Sequence, residues 1–206
     1  MLPNPGYGET PLPFEELDAL LPEARASLAE PITKAAIYDL EQAVEEALTE
    51  ELLTAIFNGD LELPTLLTDY FLRELHRKLY GGIWTWAGQY RHHLSNIGID
   101  WPLIPGEVRG AIETLRYRWL NTNDWTPQEL GIAAHAELVR IHPFIDGNGR
   151  STRLFANLVF VAAQDSEEIK LYDWRIDKHR YIELLHAYDQ HRNPDDLVSF
   201  IPTFML

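Results

Sequence analysis

From Thr126 to Ala163 the sequence spells two consecutive helices separated by one short break, which makes this stretch the anchor of a helical fold. Thr126-Pro127-Gln128-Glu129 sets a capping threonine, a first-turn proline and a reciprocal glutamate in order, the signature of a helix start. Leu130, Ala134, Leu138 and Ile141 then recur at three- and four-residue steps. A glycine-flanked break covers residues 143–149. A further helix is expected from about Asn148 to Ala163, with Leu154, Leu158 and Val161 on one side.

The rest of the chain reads as helix as well. Ile37, Leu40, Val44, Leu48, Leu52 and Ile56 mark one face of a helix over about 33–57, ended by Asn58-Gly59-Asp60. Phe71, Leu72, Leu75 and Leu79 predict a helix over about 68–79, stopped by Gly81-Gly82. Another is expected over about 105–120. Asp177 and Asn193-Pro194 cap two last ones, over about 178–190 and 195–203. Residues 83–104 differ in kind: Trp84, Trp86, Tyr90, Ile97, Ile99 and Trp101 alternate with glycine and proline, which predicts loops and a short hairpin. Residues 1–31 carry prolines at 3, 5, 11, 13, 22 and 31, so helix there is confined to short pieces such as Phe14 to Leu21. The fold class is mainly α, with an arm at the N-terminus.

Composition narrows the function. Seventeen Lys and Arg against thirty-two Asp and Glu leave a net charge of −15, which repels a phosphate backbone and argues against direct binding of nucleic acid. Residues 1–60 hold most of the excess, with Arg25 and Lys34 as their only bases, so the acidity belongs to the N-terminal part. This is a solvated helix face or a surface for a basic partner. With no cysteine, thiolate nucleophiles and thiolate metal sites are excluded. No run of about 18 apolar residues predicts a membrane span, and the first residues do not resemble a signal peptide; a cytoplasmic protein is expected.

The break between the two best-defined helices carries the chemistry: His142-Pro143-Phe144-Ile145-Asp146-Gly147-Asn148-Gly149-Arg150-Ser151-Thr152-Arg153. Pro143 places His142 where a helix ends. The amides at Gly147, Asn148 and Gly149 open the next helix, whose unpaired N–H groups and positive dipole end suit an anion. Arg150 and Arg153, three apart, lean over its first turn and together suit a polyphosphate. Asp146 is a candidate single-carboxylate magnesium ligand, and His142, titrating near neutrality, a candidate general base. A competing reading is a metal-dependent hydrolase, with His135 and His142 two helical turns apart and Asp146 near both.

The twelve-residue segment resembles the signature of the Fic (Fic/Doc) family, His-Pro-Phe-x-Asp/Glu-Gly-Asn-Gly-Arg-x-x-Arg, with every specified position met. Ala133 to Ile141 resembles the helix leading into that signature, and Trp84-Thr85-Trp86-Ala87-Gly88-Gln89-Tyr90-Arg91 its tryptophan-alanine-glycine segment. The resemblance covers roughly residues 34–203 and implies an arm over 1–33 and a Fic domain over 34–206. It also implies a helical bundle with a short β-hairpin flap, and transfer of AMP from ATP to a hydroxyl of a target protein. By that resemblance His142 deprotonates the target hydroxyl (Ser, Thr or Tyr) and Asp146 holds Mg2+. Gly147, Asn148, Gly149 and Arg150 cradle phosphate, and Arg153 meets the terminal one.

Residues 94–102 stand where the family's flap pairs with a target segment, which would make Asn96, Ile97, Gly98 and Ile99 a docking edge. Tyr181 and Tyr188 either border the adenine or belong to the core. The Doc branch, a kinase, has alanine and lysine where this chain has Gly147 and Gly149, so AMP transfer is favoured over phosphorylation. The family's inhibitory pattern, Ser/Thr-x-x-x-Glu-Gly/Asn, is absent: Ser27 to Glu30 has the wrong spacing and Thr49 is followed four residues on by Leu53. The opening Gly8-Glu9-Thr10-Pro11-Leu12 resembles a mobile-element subgroup with a small partner protein. Inhibition then comes from a separate antitoxin chain, from a carboxylate of the acidic N-terminal segment, or is absent; a toxin-like enzyme controlled by a separate antitoxin is the favoured expectation.

Overall fold

The computed structural model describes residues 12–166 and 168–206; the Gly8–Pro11 stretch lies outside them. Its centre is a helix, α7 (Pro127–Ile141), in which every residue from Leu130 to Ala136 is buried. Such a helix is apolar on all sides and needs neighbours all round. They are α6 (Ile104–Asn121), α8 (Asn148–Ala163), α9 (Lys178–His191) and α10 (Asp195–Phe200), with α8 its most closely packed partner. α3 (Lys34–Phe57), α4 (Leu63–Leu66) and α5 (Asp69–Tyr80) pack against the far side of α8.

The helix starts follow their caps. Thr33 accepts from the Ala36 amide, Thr68 from Phe71 and Asp177 from Arg180, and Thr126 with Glu129 closes a full capping box. The last helix departs from its expected span. It stops at Phe200, because Thr203–Met205 is a strand, β2, pairing antiparallel with β1 (Lys170–Tyr172) in the register Leu171 with Phe204. This pair is the one sheet among the described residues.

The hairpin expected between residues 83 and 104 is therefore corrected. That stretch holds turns and two isolated bridges, Leu20 with Trp84 and Tyr90 with Phe144, and residues 94–98 pair with no strand. Its alternation of glycine with aromatic residues serves burial against helices: Trp84 stacks on Trp86 at 5.3 Å, and Trp86 adjoins His76 and Tyr80 of α5.

The residues before α3 build part of the same core. α1 (Phe14–Asp18) and α2 (Pro22–Ala26) are short, as the prolines require, and Leu12, Leu20, Ala24 and Ile32 are buried in the main cluster. The Thr85 N–H donates to the Ala19 carbonyl (2.9 Å) and the Leu21 N–H to Ile83 (2.8 Å). No helix among the described residues is long and apolar enough to cross a membrane.

Candidate active site

α7 and α8 meet at a bend whose backbone is fixed by its own side chains. His142, the residue after α7, takes left-handed angles (φ 52°, ψ 62°), a conformation costing about 1 kcal/mol or more for a residue with a Cβ. Its N–H donates to the Leu138 carbonyl at 3.0 Å and its carbonyl accepts from Arg91 Nε at 2.8 Å. Phe144 is fully buried and stacked on His76 at 3.7 Å. Asn148 closes the bend: its Oδ1 accepts from the Phe144 N–H and its Nδ2 donates to the Phe144 carbonyl, both at 2.9 Å.

Gly147 caps α8 at φ 73°, and a Cβ there would meet the ring of Tyr80, which is itself 1% exposed. Only glycine fits both demands. The Ser151 N–H, bonded to the Gly147 carbonyl at 3.0 Å, is the first to close an α-helical turn. The amides of Asn148, Gly149 and Arg150 precede it, and so lack intrahelical acceptors. Asp146 is exposed; its Oδ1 accepts from the Gly147 N–H (2.7 Å) and its carbonyl accepts from His76 Nε2 (3.0 Å). The Gly88 N–H donates to His76 Nδ1, which fixes the tautomer and ties the Trp84–Arg91 segment to the bend.

Asp146, Arg150 and Arg153 line one cleft of about 1190 Å³ between α3 and α8, together with Tyr38, Glu45 and Trp174. The Arg153 guanidinium folds back over the first turn of α8, its Nη1 3.5 Å from where a Gly149 Cβ would stand. Arg150 leans the other way. Its guanidinium sits over the Tyr80 ring (5.2 Å) and donates from Nη1 to Glu41 at 2.5 Å. Glu45 lies beside both arginines, yet burial outweighs their attraction and pushes its carboxyl pKa up.

His142 stands at the edge of this arrangement, half-buried, and does not line that cleft. Burial and then the nearby Arg91 charge lower its pKa, while Asp146 and the Val139 carbonyl act in the opposite sense. The ring is therefore neutral at pH 7. Its Nδ1 is buried, which leaves Nε2 as the nitrogen available for chemistry. Above it lies the 91–99 loop, held by a single buried guanidinium. Arg91 donates from Nη1 to His93 (3.1 Å) and from Nη2 to Ile99 (2.5 Å), in addition to its bond with His142, and the Ile99 N–H donates to the Ile141 carbonyl (3.4 Å). Among the described residues Arg91 has no carboxylate partner.

Residues 66–160 match the Fic/DOC family, a span that contains the bend, the Trp84–Arg91 segment and the loop over His142. Over that span, just under half of the chain, the sequence is similar to a Fic domain. A protein adenylyltransferase Fic from Drosophila mojavensis is 32% identical over 122 residues, 57% of this chain and 24% of that relative, so the chain spans about a quarter of the relative's length. The fold is shared with the N-terminal Fic domain of a VirB-translocated Bep effector protein from Bartonella quintana, at TM-score 0.60 and 21% identity, over 82% of this chain and 83% of that one. A structure of that domain with bound ADP gives a TM-score of 0.58 at 20% identity, over 84% and 86%.

The predicted residues divide. Asp146, Arg150 and Arg153 share a cleft, and His142 adjoins Asp146 closely enough to feel its charge. Asn148 is buried, and its side-chain amide is fully engaged by Phe144, so only its backbone N–H remains for an anion. Asn96, Ile97 and Gly98 are exposed and Ile99 half-buried, on a loop rather than a strand. Neither tyrosine lines the arginine cleft: Tyr188 is buried with its hydroxyl on Glu137 (2.9 Å), and Tyr181 bonds His135 Nε2 (2.6 Å). His135 is completely buried with its Nε2 engaged, and no three His, Asp or Glu residues among the described ones gather as a metal site. The hydrolase reading thus has no ligand set to rest on.

Two contributors were beyond motif reading. Arg91 acts through backbone carbonyls alone, and no sequence pattern announces that. Glu41 had a signal: it falls in the buried stripe of α3 with Ile37, Leu48 and Leu52, where a carboxylate needs a partner.

Proposed function

We propose that this chain transfers AMP from ATP to a hydroxyl side chain of a target protein. The observation that carries this reading is the cleft at the start of α8, where two guanidinium groups, a carboxylate and unbonded first-turn amides converge beside a neutral imidazole. Two permanent positive charges and a helix N-terminus match a triphosphate better than any singly charged ligand.

In this reading His142 Nε2 takes the proton of the target Ser, Thr or Tyr hydroxyl as its oxygen attacks the α-phosphorus. The bond from that phosphorus to the α–β bridging oxygen breaks, and pyrophosphate leaves. The unbonded amides of Asn148, Gly149 and Arg150 neutralise charge growing on the phosphates, with the Arg150 guanidinium on the same group and Arg153 on the terminal one. Asp146 would hold Mg2+: it is exposed, keeps one carboxylate oxygen unbonded, and stands alone, which fits an ion that takes one or two carboxylates and leaves its other positions to phosphate and water. Bound there, magnesium would supply charge neutralisation across the phosphates. The exposed 94–98 backbone, pairing with no strand, would receive an extended target segment over His142.

The same proposal extends to control by a separate antitoxin-like chain, supported by the likeness of the Gly8 to Leu12 sequence to the subgroup that has a small partner protein. Incubation of the full chain with a bacterial lysate and either α- or γ-labelled ATP tests the central claim. Label should follow the α-phosphate only and vanish with His142→Ala. Label from γ-labelled ATP, or an unimpaired His142→Ala protein, would overturn it.

A further inference from the structure

Glu41 lies on α3, outside the segment matched by the Fic/DOC family, and is 2% exposed. Such a carboxylate is costly to bury unless both oxygens are occupied. Both are. Trp84 Nε1 donates to Oε1 at 2.7 Å, and Arg150 Nη1 donates to Oε2 at 2.5 Å. Trp84 is itself immobile, being 6% exposed, stacked on Trp86 and bonded through its N–H to the Tyr80 carbonyl at 2.8 Å. Tyr80 then supports Arg150 from beneath, with the guanidinium 5.2 Å above its ring.

Arg150 is the less buried member of the pair, at 25% side-chain exposure, and still opens onto the α3–α8 cleft. A guanidinium has five donors in a fixed fork. Binding one of them rigidly to a buried anion sets the direction of the others. An arginine side chain otherwise surrenders rotamer entropy when it is ordered.

We propose that Glu41 is a positioning residue for Arg150: clamped by Trp84, its carboxylate holds the guanidinium in place before nucleotide arrives, so that α3 completes a phosphate site whose recognised residues all lie on the α7–α8 bend. This rests on the proposed binding of phosphate by Arg150. Glu41 does not touch the phosphates in this arrangement, and its effect passes through Arg150 alone.

The test is calorimetric titration of the full chain with a non-hydrolysable ATP analogue and Mg2+, for wild type, Glu41→Gln, Arg150→Ala and the double variant. Glutamine keeps an acceptor for Trp84 and removes the charge that holds Arg150. Glu41→Gln should weaken binding five- to tenfold, and Arg150→Ala tenfold or more. On the Arg150→Ala background the Glu41→Gln change should have less than a twofold effect, a coupling that a loss of general stability would not produce. Trp84→Phe, which frees one side of the clamp without touching either charge, should weaken binding two- to threefold and stands in if Glu41→Gln does not fold.

Unchanged or tighter binding by Glu41→Gln, with Arg150→Ala still weakened, would overturn the positioning role, and tighter binding would show that Glu41 competes with phosphate for Arg150. If Arg150→Ala and Arg153→Ala both bind as well as wild type, the phosphate reading itself fails instead.

Discussion

Gly98 seats the 91–99 loop against the imidazole, and replacing it by alanine tests whether that contact matters. Its φ is +88°, a left-handed region that costs a residue with a Cβ about 1–2 kcal/mol. The new methyl would fall onto His142 Cβ, and would stand 2.8 Å from the Ile141 carbonyl oxygen and 3.0 Å from Arg91 Nη2. Ordinary contact begins at 3.4 Å, so relief from 2.8 to 3.4 Å requires either the loop or His142 to move by more than half an ångström. Ile141 is fully buried in α7 and Arg91 is tied to three other carbonyls, so neither yields readily.

Displacing a reacting group by about 1 Å costs on the order of a hundredfold in rate. Gly98→Ala should therefore lower AMP transfer ten- to a hundredfold, while stability falls by only about 1–3 kcal/mol, the usual cost of such crowding. The assay is transfer of label from α-labelled ATP, with thermal unfolding and the His142 ring resonances followed alongside. Gly110→Ala is the control: it lies within α6 with nothing within 4 Å of the added methyl, and should gain about 0.5–1 kcal/mol without altering transfer. Transfer within twofold of wild type and unmoved His142 resonances in Gly98→Ala would refute the argument that this contact places the imidazole.

Three further outcomes are expected. Because burial and Arg91 lower the His142 pKa, the proton-accepting form persists below the ordinary value of 6.5; the acid limb of the pH–rate profile should fall below that value, and a limb at or above 6.5 would contradict it. Burial brings His76 to about 4 and His135 to about 3, so as pH falls below 6.5 the unfolded chain takes up protons that the folded chain refuses. Stability should therefore drop by on the order of 4 kcal/mol between pH 7 and pH 5, before most carboxylates titrate, and urea unfolding that is flat across that window would count against this. Asn148→Ala removes two buried hydrogen bonds from the bend and should cost roughly 2–4 kcal/mol by urea unfolding, whereas a loss under 1 kcal/mol would show that the bend holds its shape without them.

The helical class and the bend were legible in the sequence because both depend on local chemistry. Caps at Thr33, Thr68, Thr126 and Asp177 satisfy orphan amides within three residues, and apolar spacing shows which side of each helix is buried. His142, Asp146, Arg150 and Arg153 stand within twelve consecutive residues, so their neighbourhood follows from chain connectivity alone. Tertiary structure decided the rest. It paired 170–172 with 203–205, two segments with no hairpin turn between them, and left the 94–98 stretch in a loop pinned by Arg91. It turned Asn148 inward to staple Phe144, and brought Glu41 to Arg150 across 109 positions of sequence. A side chain's partner within a few residues is set by backbone geometry. A partner a hundred residues away is set by how helices pack, and only the folded core contains that information.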